Sequence, residues 1–129
     1  LLGVSRSGKT PVSVYLATQM GLKSANFPLT AEYLREYTLP EGIIRNKKRA
    51  IGLTTTPEVL HSVREKRYAD SNYAKRSTCS EELQIAETIF HNHHIPIVST
   101  AGKSIEEVAT QVSQELGFSR KPASLNERS

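Results

Sequence analysis

The sequence is poor in several things, and each shortage excludes a class of protein. It carries one cysteine, Cys79, in 129 residues. An internal disulfide is therefore ruled out, and a single free thiol fits a reducing, cytoplasmic compartment. No apolar run approaches the ~18 residues of a membrane-spanning helix, and nothing at the start resembles a signal peptide. There is one aspartate, Asp70, and it lies in a polar stretch. No methionine precedes Leu1-Leu2-Gly3. That opening reads as the inside of a β-strand and predicts a piece of a longer protein.

What is present points to one ordinary core. A chain of this length is near the modal size of a single domain and can bury roughly two-thirds of its unfolded surface. Hydrophobic residues at 37% and a mean hydropathy of −0.41 place part of the chain outside the core. Charged residues at 23% match a globular average, which argues against wholesale disorder. The net charge is +4, unevenly spread. Residues 44–76 hold nine basic side chains (Arg45, Lys47, Lys48, Arg49, Arg64, Lys66, Arg67, Lys75, Arg76) against Glu58, Glu65 and Asp70, a net +6. Such an excess either attracts phosphates, nucleic acid or an acidic partner, or is a solvated helix face with its neighbouring loops.

Punctuation and periodicity alternate strand with helix. Leu1–Val4 reads as a strand end, followed by a glycine-rich turn and a helix over about Thr10–Met20 with Gly21 just past its end. Lys23–Pro28 is a short strand, and Thr30 caps a brief helix over Ala31–Tyr37, ended by Pro40. Ala50–Thr54 is a compact apolar strand. Thr56-Pro57 opens a helix carrying Val59, Leu60, Val63 and Arg67 to about Tyr68. Residues 69–77 read as loop. Thr78-x-x-Glu81 resembles a capping box opening a helix to about Asn92, with Leu83, Ile85, Ala86, Ile89 and Phe90 at helical spacing. Ile95–Ser99 is a buried strand; Ser104-x-x-Glu107 is a second capping box, and Gly117 closes its helix. This order predicts an α/β fold, a mainly parallel sheet with flanking helices of P-loop kinase type. Residues 1–118 form the expected nucleotide-binding domain and 119–129 a loose tail.

One motif carries chemistry. Gly3-Val4-Ser5-Arg6-Ser7-Gly8-Lys9-Thr10 matches G-x-x-x-x-G-K-[ST] in full. Glycines let the backbone curl so that successive N–H groups point at phosphate oxygens, and the following helix adds its positive end. Lys9 is placed to reach terminal phosphates, and Thr10 offers a hydroxyl to Mg²⁺. Arg6 adds a cation inside the loop; it either stabilises charge on a transferred group or points to solvent. An ordinary P-loop NTPase also holds Mg²⁺ with an aspartate at the end of an apolar strand. Here the strands end in Thr54 and in Ser99-Thr100. Either the metal is held differently, or its acidic ligand lies outside this chain.

Three further features invite chemistry and have plainer explanations. The histidines of His91-Asn92-His93-His94 cannot all face one ion without unwinding a helix end, where the dipole already favours histidine. Cys79 has no histidine near it in sequence and reads as a small, partly buried residue. Lys103, between a strand and a capped helix, either meets a second phosphate or simply belongs to a connection.

Taken together, Gly3 to Pro11, Tyr15-Leu16-Ala17, Ala25-Asn26-Phe27-Pro28-Leu29, Gly52-Leu53-Thr54 and Ser104-Ile105-Glu106-Glu107 resemble the bacterial phosphoenolpyruvate synthase regulatory proteins. The pyruvate, phosphate dikinase regulatory proteins are close relatives. The likeness spans about residues 1–118, and the Ser7-Gly8 pair before Lys9 is more similar to the synthase branch. The resemblance implies a bifunctional enzyme. One activity is an ADP-dependent serine/threonine protein kinase that inactivates its target at a threonine. The other removes that phosphate with inorganic phosphate and releases pyrophosphate. It further implies a nucleotide site over Gly3–Thr10 with Lys9 as the catalytic residue. Family members are about twice this length, and the chain resembles their C-terminal half. Acidic residues for metal or base chemistry are then expected in the other half, so this chain alone is expected to be inactive even where it binds phosphate.

The expected ligands are ADP and phosphate, with Mg²⁺ as a candidate. The expected partner is phosphoenolpyruvate synthase or pyruvate, phosphate dikinase, with homo-oligomerisation open and no membrane contact. Two other classes compete: a basic nucleic-acid-binding module with a structural glycine turn, which is disfavoured, and an ordinary P-loop small-metabolite kinase.

Overall fold

Each strand is too short and too apolar to stand alone, and each is followed by a helical segment long enough to bring the chain back over the sheet. That connection makes neighbouring strands parallel. In the computed structural model, which describes residues 1–117, β1 (Leu2–Gly3), β2 (Phe27–Pro28), β3 (Gly52–Thr54) and β4 (Ile97–Ser99) form one sheet. The order is β2-β1-β3-β4 and every pair is parallel. Leu2 stands opposite Phe27 on one side and Gly52 on the other, and Leu53 opposite Val98. The α/β class and mainly parallel sheet are as expected. The tail expected at 119–129 lies outside the described residues.

Helices α1 (Lys9–Met20) and α6 (Ile105–Glu115) close one face of the sheet. There Val12, Leu16, Leu53, Val98, Val108 and Val112 are buried together. The other face lies under α2 (Ala31–Glu36), α4 (Pro57–Arg67) and α5 (Arg76–Asn92), where Leu2, Val4, Leu60, Leu83, Ile89 and Phe90 pack. Strand alternation explains the division: Leu53 points to the first face and its neighbours Gly52 and Thr54 to the second. Gly52 is required by contact, because a methyl group there would meet the Phe90 ring at 2.5 Å.

Helix ends governed by local chemistry stand where the sequence places them. Gly21 adopts a left-handed φ of 67° behind α1. The Thr56 hydroxyl accepts the Val59 N–H at the start of α4, with Pro57 in the first turn. Ser104 and Glu107 complete a reciprocal capping box on α6.

The second expected capping box is corrected. Helix α5 begins at Arg76 with Lys75 at its cap position, so Thr78 lies inside the first turn and caps nothing. The reason is tertiary. Ser71 caps a single 3₁₀ turn, Asn72–Ala74, which delivers the chain directly into α5 so that Ala74 and Cys79 bury completely. The loop expected at 69–77 is thus partly helical. A short helix, α3 (Glu41–Arg45), and a 3₁₀ turn, Lys47–Arg49, also occupy a stretch with no expected element. Thr30 holds the cap position of α2 without a side-chain bond. The strands are shorter than predicted: β2, β3 and β4 keep only the last two or three residues of the expected stretches.

Candidate functional site

Parallel α/β sheets present ligand sites at the carboxyl ends of their strands, where loops leave for helices. Here the Gly3–Thr10 segment leaves β1 at that edge and enters α1. Arg6, with φ 68°, and Gly8, with φ 103°, both take left-handed backbone, and between them they curl the loop. Gly3 must lack a side chain, because the Ser7 hydroxyl packs where its Cβ would stand, with the Leu53 carbonyl 3.1 Å away. The first turn of α1 leaves its N–H groups without intrahelical acceptors, the usual anion-binding feature of a helix N-terminus.

Lys9 is drawn into this loop. It is 8% exposed, and its ammonium donates to the Val4 carbonyl at 2.8 Å. Burial, with the nearby Arg64 guanidinium as a smaller cause, lowers its pKa to about 8. A buried cation with one neutral acceptor is short of negative partners. Thr10 is exposed at the start of α1. Arg6 is exposed too, and among the described residues no hydrogen bond or ion pair holds it. The Ser7 and Thr55 hydroxyls are buried at this edge with no protein partner.

Sequence reasoning missed Arg64. It is one of the nine basic side chains of residues 44–76, yet it is fully buried. Its Nε and Nη2 donate to the Ser5 carbonyl at 3.3 and 3.0 Å. Nη1 donates to the Tyr73 carbonyl at 2.9 Å, and Nη2 meets Glu82 at 2.8 Å. The guanidinium lies 4.0 Å from the Tyr73 ring centre, while the Tyr73 hydroxyl is 2.5 Å from Ser5 Oγ. One arginine and one tyrosine thus hold the Ser5 corner of the loop from α4 and the 3₁₀ turn. The buried face of α4 is Leu60 and Arg64, while Val59 and Val63 are 41% and 38% exposed. The four-residue step from Leu60 to Arg64 was the available signal, masked by the arginine's charge.

The basic stretch does not form one surface. Lys48 and Arg49 line a cleft of about 790 Å³ with Leu1, Leu2 and Lys23 at the opposite, amino-terminal edge of the strands. Lys66, Arg67, Lys75 and Arg76 are exposed on the segment that supports the Gly3–Thr10 loop.

The remaining candidates lie away from this loop or serve the packing around it. Cys79 is fully buried against Arg64, and burial raises its thiol pKa. Lys103 turns along α6 to Gln111 at 2.9 Å rather than toward the loop. His91 and Asn92 end α5, and among the described residues no group of three His, Cys, Asp or Glu side chains is arranged to hold a metal ion. No described helix is long and apolar enough to cross a membrane.

Comparison with known proteins places this geometry. The profile of the kinase/pyrophosphorylase family matches residues 1–113, which includes every element from β1 through most of α6. The chain belongs to the kinase/pyrophosphorylase family. Relatives named as candidate phosphoenolpyruvate synthase regulatory proteins agree with it. That of Desulfotalea psychrophila is 53% identical over 116 residues, 90% of this chain and 43% of the relative. That of Laribacter hongkongensis is 47% identical over 121 residues, 94% of this chain and 44% of the relative. That of Shewanella pealeana is 43% identical over 120 residues, with 93% and 44% covered. The chain therefore spans less than half the length of these relatives. No solved structure matches it. Within the family profile fall the whole Gly3–Thr10 loop, Arg64, Tyr73 and Glu82.

Proposed function

We propose that this chain is the nucleotide-binding portion of a bifunctional regulatory enzyme. In one direction the enzyme transfers a phosphoryl group from ADP to a threonine of a target protein. In the other it removes that phosphate with inorganic phosphate and releases pyrophosphate. Following the names of its relatives, the target is phosphoenolpyruvate synthase, with pyruvate, phosphate dikinase as the alternative.

The observation that carries the reading is Lys9. Its ammonium is buried in a glycine-bounded loop, at the carboxyl edge of a parallel sheet, beside a helix N-terminus. That arrangement suits a diphosphate: the loop and helix bind its oxygens, and Lys9 meets the terminal group where charge moves during transfer. Reversal uses the same parts, with phosphate as acceptor and pyrophosphate as product. Where Mg²⁺ accompanies the nucleotide, the donors present suit it. They are the hard oxygens of a hydroxyl at Thr10 and of a carboxylate on α5. When bound, the cation would neutralise phosphate charge.

Calorimetric titration of the intact protein with ADP, ATP and AMP tests the reading. A clear preference for ADP is expected; a preference for ATP would favour an ordinary small-metabolite kinase. Lys9→Ala should abolish phosphorylation of the target, and retained phosphorylation would overturn the assignment.

A further inference from the structure

Sequence inspection finds no aspartate at a strand end, yet the fold brings a carboxylate there. Glu87 lies in the middle of α5, which crosses the sheet face beneath β1 and β3. Its Oε2 accepts a 2.7 Å hydrogen bond from the Thr54 hydroxyl, at the carboxyl end of β3. Thr54 is 8% exposed and borders the phosphate loop on both sides. On one side, the register Leu2↔Gly52 sets Thr54 level with Val4, whose carbonyl holds the Lys9 ammonium. On the other, the Thr54 carbonyl accepts the Thr100 N–H at 2.8 Å, and the Thr100 methyl lies 3.5 Å from where Gly8 would carry a side chain.

We propose that Glu87 is the acidic residue of the phosphate site: delivered by a helix in place of a strand-end aspartate, it supplies the carboxylate for the divalent cation that accompanies the bound diphosphate. The assignment rests on the nucleotide reading above. Two physical arguments support it. No group of three candidate ligands exists among the described residues, so the protein alone makes no metal cage. Mg²⁺ does not need one. It is typically held by one or two carboxylates, with phosphate oxygens and water completing an octahedron. A single carboxylate beside a phosphate loop is the right number. The carboxylate is also oriented. A hydroxyl fixed in a strand holds one oxygen of Glu87, and such partners set the direction of the other lone pairs.

Glu82, one turn and a half earlier on α5, is not equivalent. Its carboxylate is already committed to the buried Arg64 at 2.8 Å, whereas Glu87 has no cationic partner among the described residues.

Glu87→Gln isolates the charge, because a glutamine carbonyl still accepts the Thr54 hydroxyl and the packing of α5 is kept. ADP affinity of the intact protein should be measured with Mg²⁺ and with a chelator, alongside the electron paramagnetic resonance signal of Mn²⁺ titrated with ADP. In the unaltered protein, Mg²⁺ should strengthen ADP binding and Mn²⁺ should be immobilised. Glu87→Gln should keep chelator-condition ADP affinity within about twofold and lose at least about tenfold in metal affinity. Thr54→Val, which frees the carboxylate without removing it, should lose less. An unchanged metal response in Glu87→Gln, or no metal response in the unaltered protein, overturns the assignment while leaving nucleotide binding intact. Absence of ADP binding under both conditions overturns the nucleotide reading, and this assignment with it.

Discussion

Lys9 and Arg64 show how two cations of one site differ in role. Lys9 has a single neutral acceptor and a pKa lowered to about 8, so its charge is held at a cost until an anion arrives. The sign follows from linkage. Phosphate binds the protonated amine, so ADP affinity should be highest below pH 8 and fall as pH rises through that value, by up to about tenfold per unit. Folding stability should move the other way. The unfolded chain, with an ordinary lysine, binds more protons between about pH 8 and 10.5, so this group's contribution to stability rises across that window. Titration calorimetry and chemical denaturation over pH 7–10 would check both slopes. Arg64 is satisfied by two carbonyls, a carboxylate and a ring, and its work is positional. Arg64→Met should cost on the order of 3 kcal/mol in stability, since it strands Glu82 and frees the Ser5 carbonyl. It should also shift the alkaline limb of ADP binding upward, because a positive neighbour of Lys9 is gone. Tyr73→Phe, which removes only the bond to Ser5 Oγ, should leave stability within about 1 kcal/mol and weaken ADP binding by a lesser factor.

Elements in this chain begin and end by two different rules. Where a cap is satisfied locally, sequence spacing is a faithful guide. Ser104→Ala should remove one member of a reciprocal pair and cost about 1 kcal/mol, seen as a lower denaturation midpoint. Thr78→Ala, in the motif that looks the same, should fall within about 0.5 kcal/mol, because Thr78 lies inside α5 and its cap role is absent. The difference lies in what precedes each motif. Ser104 follows an exposed turn, whereas Thr78 follows a 3₁₀ turn pinned by Arg64 and the burial of Ala74. Close packing sets a third rule at the centre of β3. Gly52→Ala should destabilise by about 1–3 kcal/mol, as the added methyl pushes Phe90 off the sheet.

At the scale of the molecule, the fold divides a charge that the sequence shows as one block. Residues 45–49 sit at the amino-terminal edge of the strands, residues 66–76 flank the phosphate loop, and Arg64 is internal. A polyanion lying along the whole +6 stretch would have to span both edges of the sheet. On the proposed function, a target protein docking at the Gly3–Thr10 loop would meet only the second group. Charge reversal at Lys66 and Arg67 should therefore weaken capture of the target protein several-fold and lower its salt dependence, while reversal at Lys47 and Lys48 should leave both unchanged. Surface-based binding measured at two ionic strengths would distinguish the two edges. Equal effects from both pairs would return the basic stretch to a general polyanion surface.

Much of this was legible in the linear order of residues. The Gly3–Thr10 loop, the strand–helix alternation, the Gly21 terminus and the Ser104 box depend on neighbours within a few positions, and backbone preferences act at that range. The parallel sheet follows from the same alternation. What remained hidden are contacts made across the chain. Arg64 looks like surface charge until Ser5, 59 positions away, takes its hydrogen bonds. Glu87 looks like one more helix carboxylate until Thr54, 33 positions away, donates its hydroxyl to it at a strand end. Sequence alone determined that a glycine-bounded loop would run from a strand into a helix, because that is local stereochemistry. Only tertiary structure decided which arginine braces it and which carboxylate meets Thr54 at the end of β3, because burial and partner choice depend on how the helices lie across the sheet.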